Sequence, residues 1–231
     1  MSPVGDSYYE DEKFVHQRVA VGEHRRVIGG MWEQIGQLQR DFLIAEGLMA
    51  EHSVLDVGCG SLRGGVYLIP YLEPAKYWGV DLNQSLLEAG WEREIVPAGL
   101  QDRQPRSQLV CLQDFEFNRL GQTFDFAIAI SVFTHMNLNK IRRCLARLAP
   151  ALTQGGRLYA TFFEVPDSQD REESCVQKWG GVKTSSVSDP FHYRLSDFEF
   201  AVHGSGLSVT YYGDWGHPRN QKMVLFSKQQ E

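Results

Sequence analysis

Residues 53–65 read SVLDVGCGSLRGG, a short apolar strand that runs into a glycine turn and then towards a helix. Gly58 and Gly60 can take backbone angles closed to residues with a side chain. Val66, Tyr67, Ile69 and Leu72 follow, available to pack on a sheet. Strand, glycine turn and helix in this order make a ligand crevice at the carboxyl end of a parallel strand. No other segment restricts the architecture as strongly.

The rest of the chain continues the alternation. Strands are expected at 53–57, 76–80, 108–112, 124–130, 156–163, 207–212 and 222–227, and helices at 62–72, 84–96, 137–150 and 196–205. Alternating strands and helices imply a parallel sheet covered on both faces. The last two strands, LSVTYY and KMVLFS, are separated only by GDWGHPRNQ, too short for a crossover helix, so they pair antiparallel. The expected fold class is α/β: a doubly wound, mostly parallel seven-stranded sheet with a C-terminal antiparallel hairpin.

The first fifty residues lack strand signals. Trp32, Ile35, Leu38, Phe42 and Ala45 recur at helical spacing, which predicts an amphipathic helix over 31–46 with Trp32 in the core. A more polar helix is expected around 10–26, with Gly29 and Gly30 as the break. The expected organisation is an N-terminal helical cap and substrate cover over 1–50 and a cofactor-binding catalytic domain over 51–231. Within the latter, 164–190 is long and polar, and reads as a lid.

Composition narrows the function. The 231 residues carry a formal net charge of −6, which argues against tight binding to a nucleic-acid backbone. No apolar stretch approaches a membrane span, and the polar, acidic start is unlike a secretory signal. The four cysteines lack CxxC pairing, so a reducing cytoplasm is the expected location, with Cys59 filling space in the turn. No cluster of histidines and carboxylates has metal-ligand spacing.

Three acids narrow the ligand of the crevice. Asp56 stands at the mouth of the first strand, where an anion suits a positive amino group or sulfonium better than a pyrophosphate. Asp81 ends the second strand, where a carboxylate accepts from ribose hydroxyls. Asp114 and Phe115 follow the third strand, an acid and an aromatic suited to an adenine amino group and ring face.

With DVGCGSLRGG (56–65), GVDL (79–82), QDF (113–115), FDFAIAISVFTHM (124–136), a GGRL turn and the terminal hairpin in order, the chain resembles class I S-adenosylmethionine-dependent methyltransferases over residues 30–231. The resemblance implies a Rossmann-like fold with S-adenosylmethionine as cofactor. It places Asp56, Gly58 and Gly60 around the methionine moiety, Asp81 and Leu82 at the ribose, Asp114 and Phe115 near adenine, and Ser131 and Val132 beside the cofactor. Ser61-Leu62-Arg63 departs from the usual loop, since the third close glycine is missing.

Methylation of a hydroxyl needs a base, and histidine suits that task near neutral pH. His135, His192 and His217 fall in loops expected on the ligand side of the sheet, and His217 is the leading candidate because Trp215, Arg219 and Gln221 crowd the same short loop. Tyr193, Trp215 and Arg219 are candidate acceptor-binding residues, because polar and aromatic density suits a hydroxyl-rich or planar molecule. The leading function is methyl transfer to a small-molecule hydroxyl in a sugar, glycolipid or secondary metabolite, with a homodimer as a compatible assembly. N-methylation, or a protein or nucleic-acid methyltransferase, is the enzymatic alternative, although Ser131-Val132-Phe133-Thr134 is not a base-flipping motif. A non-catalytic S-adenosylmethionine-binding regulator is the alternative of another class. An NAD-dependent reductase is disfavoured by the lack of GxGxxG spacing.

Overall fold

The computed structural model describes residues 7–229; the outer ends of the expected 1–50 cap and of the expected 51–231 catalytic domain lie outside them. The chain divides into two compact units, one ending at Asp114 and the other beginning at Phe115.

The first unit opens with α1 (Glu12–Ala20), α2 (His24–Val27) and α3 (Trp32–Ala45). Asp11 caps α1 by accepting from the Phe14 amide, and α3 buries Trp32, Ile35, Gly36, Gln39, Phe42 and Leu43 along one stripe. Then come β1 (Val54–Val57), α4 (Gly65–Leu68), β2 (Tyr77–Asp81), α5 (Gln84–Gly90) and β3 (Leu109–Cys111). The strands lie in the order β3-β2-β1, all parallel, with Asp56 paired to Gly79 and Val80 to Val110. Every residue of β1 is buried, as expected for a strand covered on both faces.

Two helices differ from the sequence pattern. The helix expected at 62–72 is regular only over α4, because Leu62 has φ 71°, outside the right-handed helical range. The helix expected at 84–96 changes after α5 to a π-helical turn, Trp91–Ile95, which carries the buried Glu94.

The second unit contains β4 (Phe124–Ala129), α6 (Leu138–Leu148) and β5 (Leu152–Glu164). Asn137 caps α6, whose buried residues Ile141, Cys144, Leu145 and Leu148 form a single stripe. The short strands β6 (Cys175–Val176), β7 (Lys183–Thr184) and β8 (His192–Tyr193) follow, then α7 (Leu195–Ala201), β9 (Leu207–Asp214) and β10 (Lys222–Lys228). Here β4 is parallel to β5, and β10 lies antiparallel between β5 and β9. The terminal hairpin expected from the nine-residue spacer is present.

The 164–190 connection is internally structured. β6 and β7 form a small hairpin, and β8 pairs in parallel with the end of β5. Gln177 and Thr184 are buried beneath it, and Gln177 Nε2 donates to the Glu164 carbonyl at 3.2 Å.

Candidate active site

In the first unit the site is built on the turn after β1. Gly58 and Gly60 have φ 69° and 56°. At Gly60 a side chain meets a second obstacle, since a Cβ would lie 2.9 Å from Ile28 Cγ2. Gly64 is needed for space alone: a Cβ there would collide with Gln39 Oε1 and lie 3.3 Å from Asp56 Oδ2. The late glycine therefore serves close packing of α3 on the turn.

Asp56 is 4% exposed, and its Oδ2 accepts from the Tyr77 hydroxyl at 2.7 Å. Burial raises its carboxyl to about 7, against the opposing pull of the Tyr77 hydrogen bond and Arg63. Asp81 accepts the Gly60 amide on Oδ2 at 2.8 Å and the Asn83 amide on Oδ1 at 2.8 Å. Desolvation raises its carboxyl too, opposed by backbone N–H groups of Asn83, Gly60 and Leu82. Asp81 thus ties the glycine turn to the end of β2. The buried Cys59 thiol is pushed well above its ordinary value by burial and by Asp56 and Asp81, which suits a space-filling role.

The N-terminal helices are fastened to these elements. The Ser61 hydroxyl donates to the His24 carbonyl at 3.0 Å, and Arg63 Nη1 donates to the Gly30 carbonyl at 2.9 Å. Asn83 Nδ2 donates to the Tyr9 carbonyl at 3.0 Å, and the Tyr9 hydroxyl to Val27 at 3.0 Å. Glu94 receives His24 Nε2 and two Arg25 nitrogens, each at 2.7 Å. Trp32 is a buried packing residue, with the Arg25 guanidinium 4.5 Å from its ring centroid.

The donor set fits S-adenosylmethionine. The buried Asp56 and the half-buried Asp81, each with its carboxyl held above its ordinary range, favour a ligand with a positive amino group and hydroxyl donors. Asn83, 2% exposed and next to this pair, has an Oδ1 without a partner among the described residues. Leu82 is exposed and Asp114 half-buried. Phe115 has φ 54°, a conformation uncommon for an aromatic residue and associated with functional sites.

The second unit holds the remaining candidates. Ser131 lies just after β4 with φ 60°, and its amide donates to Thr161 Oγ1 at 2.7 Å. Val132 precedes a 3-10 turn, Phe133–His135. His135 Nδ1 lies 2.5 Å from Asp189 Oδ1, with side-chain exposures of 22% and 10%. The pairing joins the end of the β4 loop to the end of the 164–190 connection. Its sequence separation of 54 left Asp189 without a local signal.

His192 and His217 are placed differently. His192 is buried, with Nδ1 3.0 Å from Thr184 Oγ1 and Nε2 2.9 Å from the Arg171 carbonyl. Both ring nitrogens hold the connection to β8, so this arrangement offers neither to an acceptor. The Tyr193 hydroxyl donates to the Met136 carbonyl at 2.5 Å, a second bolt of the same kind. His217 is 1% exposed; its Nδ1 accepts the Arg219 amide at 3.2 Å, and its ring stacks on Trp215 at 5.6 Å between centroids. Trp215 Nε1 in turn donates to the Gln221 carbonyl at 3.1 Å. Arg219 packs beside Gly180, where a Cβ would lie 3.3 Å from its Cγ.

Residues 55–158 match the family model described as a methyltransferase domain. Solved structures share the fold over most of the chain. One is a magnesium protoporphyrin IX methyltransferase from Synechocystis with bound SAM, 14% identical, TM-score 0.63, covering 95% of this chain and 97% of its own. A second is a sugar N-methyltransferase from a Streptoalloteichus species, 17% identical, TM-score 0.62, covering 89% and 91%. A third is an S-adenosylmethionine-dependent methyltransferase from Clostridium acetobutylicum, 14% identical, TM-score 0.63, covering 95% and 99%. Likeness at these identities carries the fold, the Rossmann-like mixed sheet with its antiparallel C-terminal strands. Residues 55–158 thus carry a methyltransferase domain, set in a fold shared with S-adenosylmethionine-dependent methyltransferases.

Proposed function

We propose that the enzyme methylates a hydroxyl group of a small molecule, in a sugar, glycolipid or secondary metabolite, with His135 as general base. The observation that carries this reading is the contact between His135 and Asp189. A carboxylate at 2.5 Å from Nδ1 holds the ring proton on that nitrogen and leaves the lone pair on Nε2. Asp189 also stabilises the imidazolium formed when Nε2 accepts a proton, the division of labour found in histidine–carboxylate pairs. S-adenosylmethionine supplies, when bound, a methyl group activated by the sulfonium. Asp56 receives its amino group, Asp81 its ribose hydroxyls, and Asp114 with Phe115 its adenine.

His192 and Tyr193 act on this reading as anchors of the lid, while Trp215, His217 and Arg219 shape the acceptor region. The structured 164–190 connection supports the lid assignment, because His192 joins it to β8 and Asp189 lies at its end. The fastening of residues 7–30 to Ser61, Arg63 and Asn83 supports a cover on the cofactor side.

Methylation of an amine is the second reading, favoured by the likeness to the sugar N-methyltransferase. A screen with methyl-labelled S-adenosylmethionine against hydroxyl and amine forms of the same sugars separates the two. Transfer to the hydroxyl compounds, abolished in His135→Ala, is the expected result. Label appearing only on amines, or only on protein or nucleic acid, would overturn the proposal.

A further inference from the structure

Ser131, Thr161 and Gln221 form a polar cluster in the second unit, joining the end of β4, the body of β5 and the residue before β10. Thr161 has no exposed surface and Gln221 is 3% exposed. The Ser131 amide donates to Thr161 Oγ1 at 2.7 Å, and the Thr161 hydroxyl donates to Gln221 Oε1 at 2.7 Å. The Ser131 hydroxyl donates to that same oxygen at 3.0 Å.

These bonds determine which way the amide points. Gln221 Oε1 is the only acceptor that the buried Thr161 hydroxyl has among the described residues. Turning the amide over would leave both hydroxyl protons without a partner, a costly arrangement in a buried site. The orientation shown satisfies both hydroxyls and leaves the two N–H groups of Nε2 with no acceptor among the described residues. Trp215 Nε1, bonded to the Gln221 carbonyl, holds the main chain at the same residue. The result is a donor fixed at both ends and lacking only what it donates to.

We propose that Gln221 is a positioning residue for the methyl acceptor, with Nε2 donating to an oxygen of that molecule. The assignment deepens the small-molecule reading and rests on it. The ligand class follows from the donor: a hydroxyl, carbonyl or carboxylate oxygen has a lone pair to offer, whereas an alkylammonium group has none. Gln221 therefore favours oxygen-bearing acceptors over protonated amines. The left-handed backbone of Ser131 is maintained by the same cluster, as expected where a site rather than local preference determines conformation.

The test uses the full chain saturated with S-adenosylhomocysteine, with side-chain amide nitrogens labelled and the Gln221 signal identified by its loss in Gln221→Glu. Glutamate keeps an oxygen for Thr161 and Ser131 and removes the donor. Addition of D-glucose or benzoate is expected to move the Gln221 amide signal, and methylammonium to leave it in place. In Gln221→Glu, affinity for the probe that moved the signal is expected to fall about tenfold or more, with S-adenosylhomocysteine affinity and melting temperature unchanged. An amide signal unmoved by both glucose and benzoate, or a variant that binds the responding probe as tightly as wild type, overturns the assignment. A responding amide in a protein that transfers methyl to no hydroxyl compound would sink the O-methylation reading while supporting Gln221 as a ligand donor.

Discussion

The two compact units handle their polar groups in different ways. In the first, the two carboxylates at the glycine turn hold adjacent elements: Asp81 accepts the amides of Gly60 and Asn83, and Asp56 accepts the Tyr77 hydroxyl of the neighbouring strand. These partners come from one strand–turn–helix unit and the strand beside it. In the second unit, side chains pair over long sequence distances, as in His135 with Asp189 and Gln221 with Ser131. Cofactor binding can be encoded in a short motif because its ligand is the same for every enzyme of the class. The acceptor side must be assembled from loops, the part of a fold that varies with substrate.

The sharpest way to break this contrast is to remove one group from each unit and ask which reaction property changes. His135→Ala is expected to lower turnover on the order of a hundredfold or more while leaving S-adenosylhomocysteine affinity unchanged. Steady-state rates with a hydroxyl acceptor from the screen, together with calorimetry, check both halves of that statement. Asp81→Ala acts in the opposite sense. It removes the acceptor of two backbone amides and, on the proposed cofactor assignment, of the ribose hydroxyls, so S-adenosylhomocysteine affinity is expected to fall about a hundredfold. Unchanged affinity in calorimetry would remove Asp81 from the cofactor site.

His192→Ala sharpens the distinction within the second unit. It breaks hydrogen bonds to Thr184 and Arg171 in a buried setting, which predicts a loss of about 1–3 kcal/mol in stability. Chemical denaturation measures that loss. A turnover deficit as large as that of His135→Ala, in a variant still fully folded, would return His192 to the list of bases.

The smallest effect concerns the charge of Asp56. Its carboxyl, raised by burial to about 7, binds a proton more readily in the folded chain than in the unfolded one. Its contribution to stability is therefore complete below the ordinary carboxylate value and is lost as pH rises through about 7. A cationic ligand prefers the ionised form, so affinity changes in the other direction. S-adenosylhomocysteine binding is expected to weaken up to about tenfold for each pH unit below that value. Calorimetry across the range, with Asp56→Asn as the control that lacks the dependence, gives the result; a flat wild-type profile counts against the assigned charge.

Much of the fold could be read from the sequence for a physical reason. Parallel strands buried on both faces are short apolar runs, and the nine residues between the last two strands leave room only for an antiparallel return. The departures have local causes that propensity does not register. Leu62 in a left-handed conformation delays α4, and the π-helical turn after α5 follows no difference in apolar spacing. The long polar segment 164–190 carries no strong periodicity, yet it forms a hairpin because Gln177, Thr184 and His192 satisfy one another in its interior.

The sequence alone determined the alternation of elements and the glycine turn with its three acids, and through the resemblance these carry, the expected cofactor. Each depends on residues close together in the chain or on the ends of successive strands, where local spacing is a spatial statement. Only the tertiary structure distinguished the three histidines, giving His135 a carboxylate and committing both nitrogens of His192 to the main body of its own connection. It alone brought Gln221 to Ser131 and Thr161, 90 and 60 residues away in the chain. Hydrogen bonds of that kind depend on strand order and loop path, which no period in the sequence records.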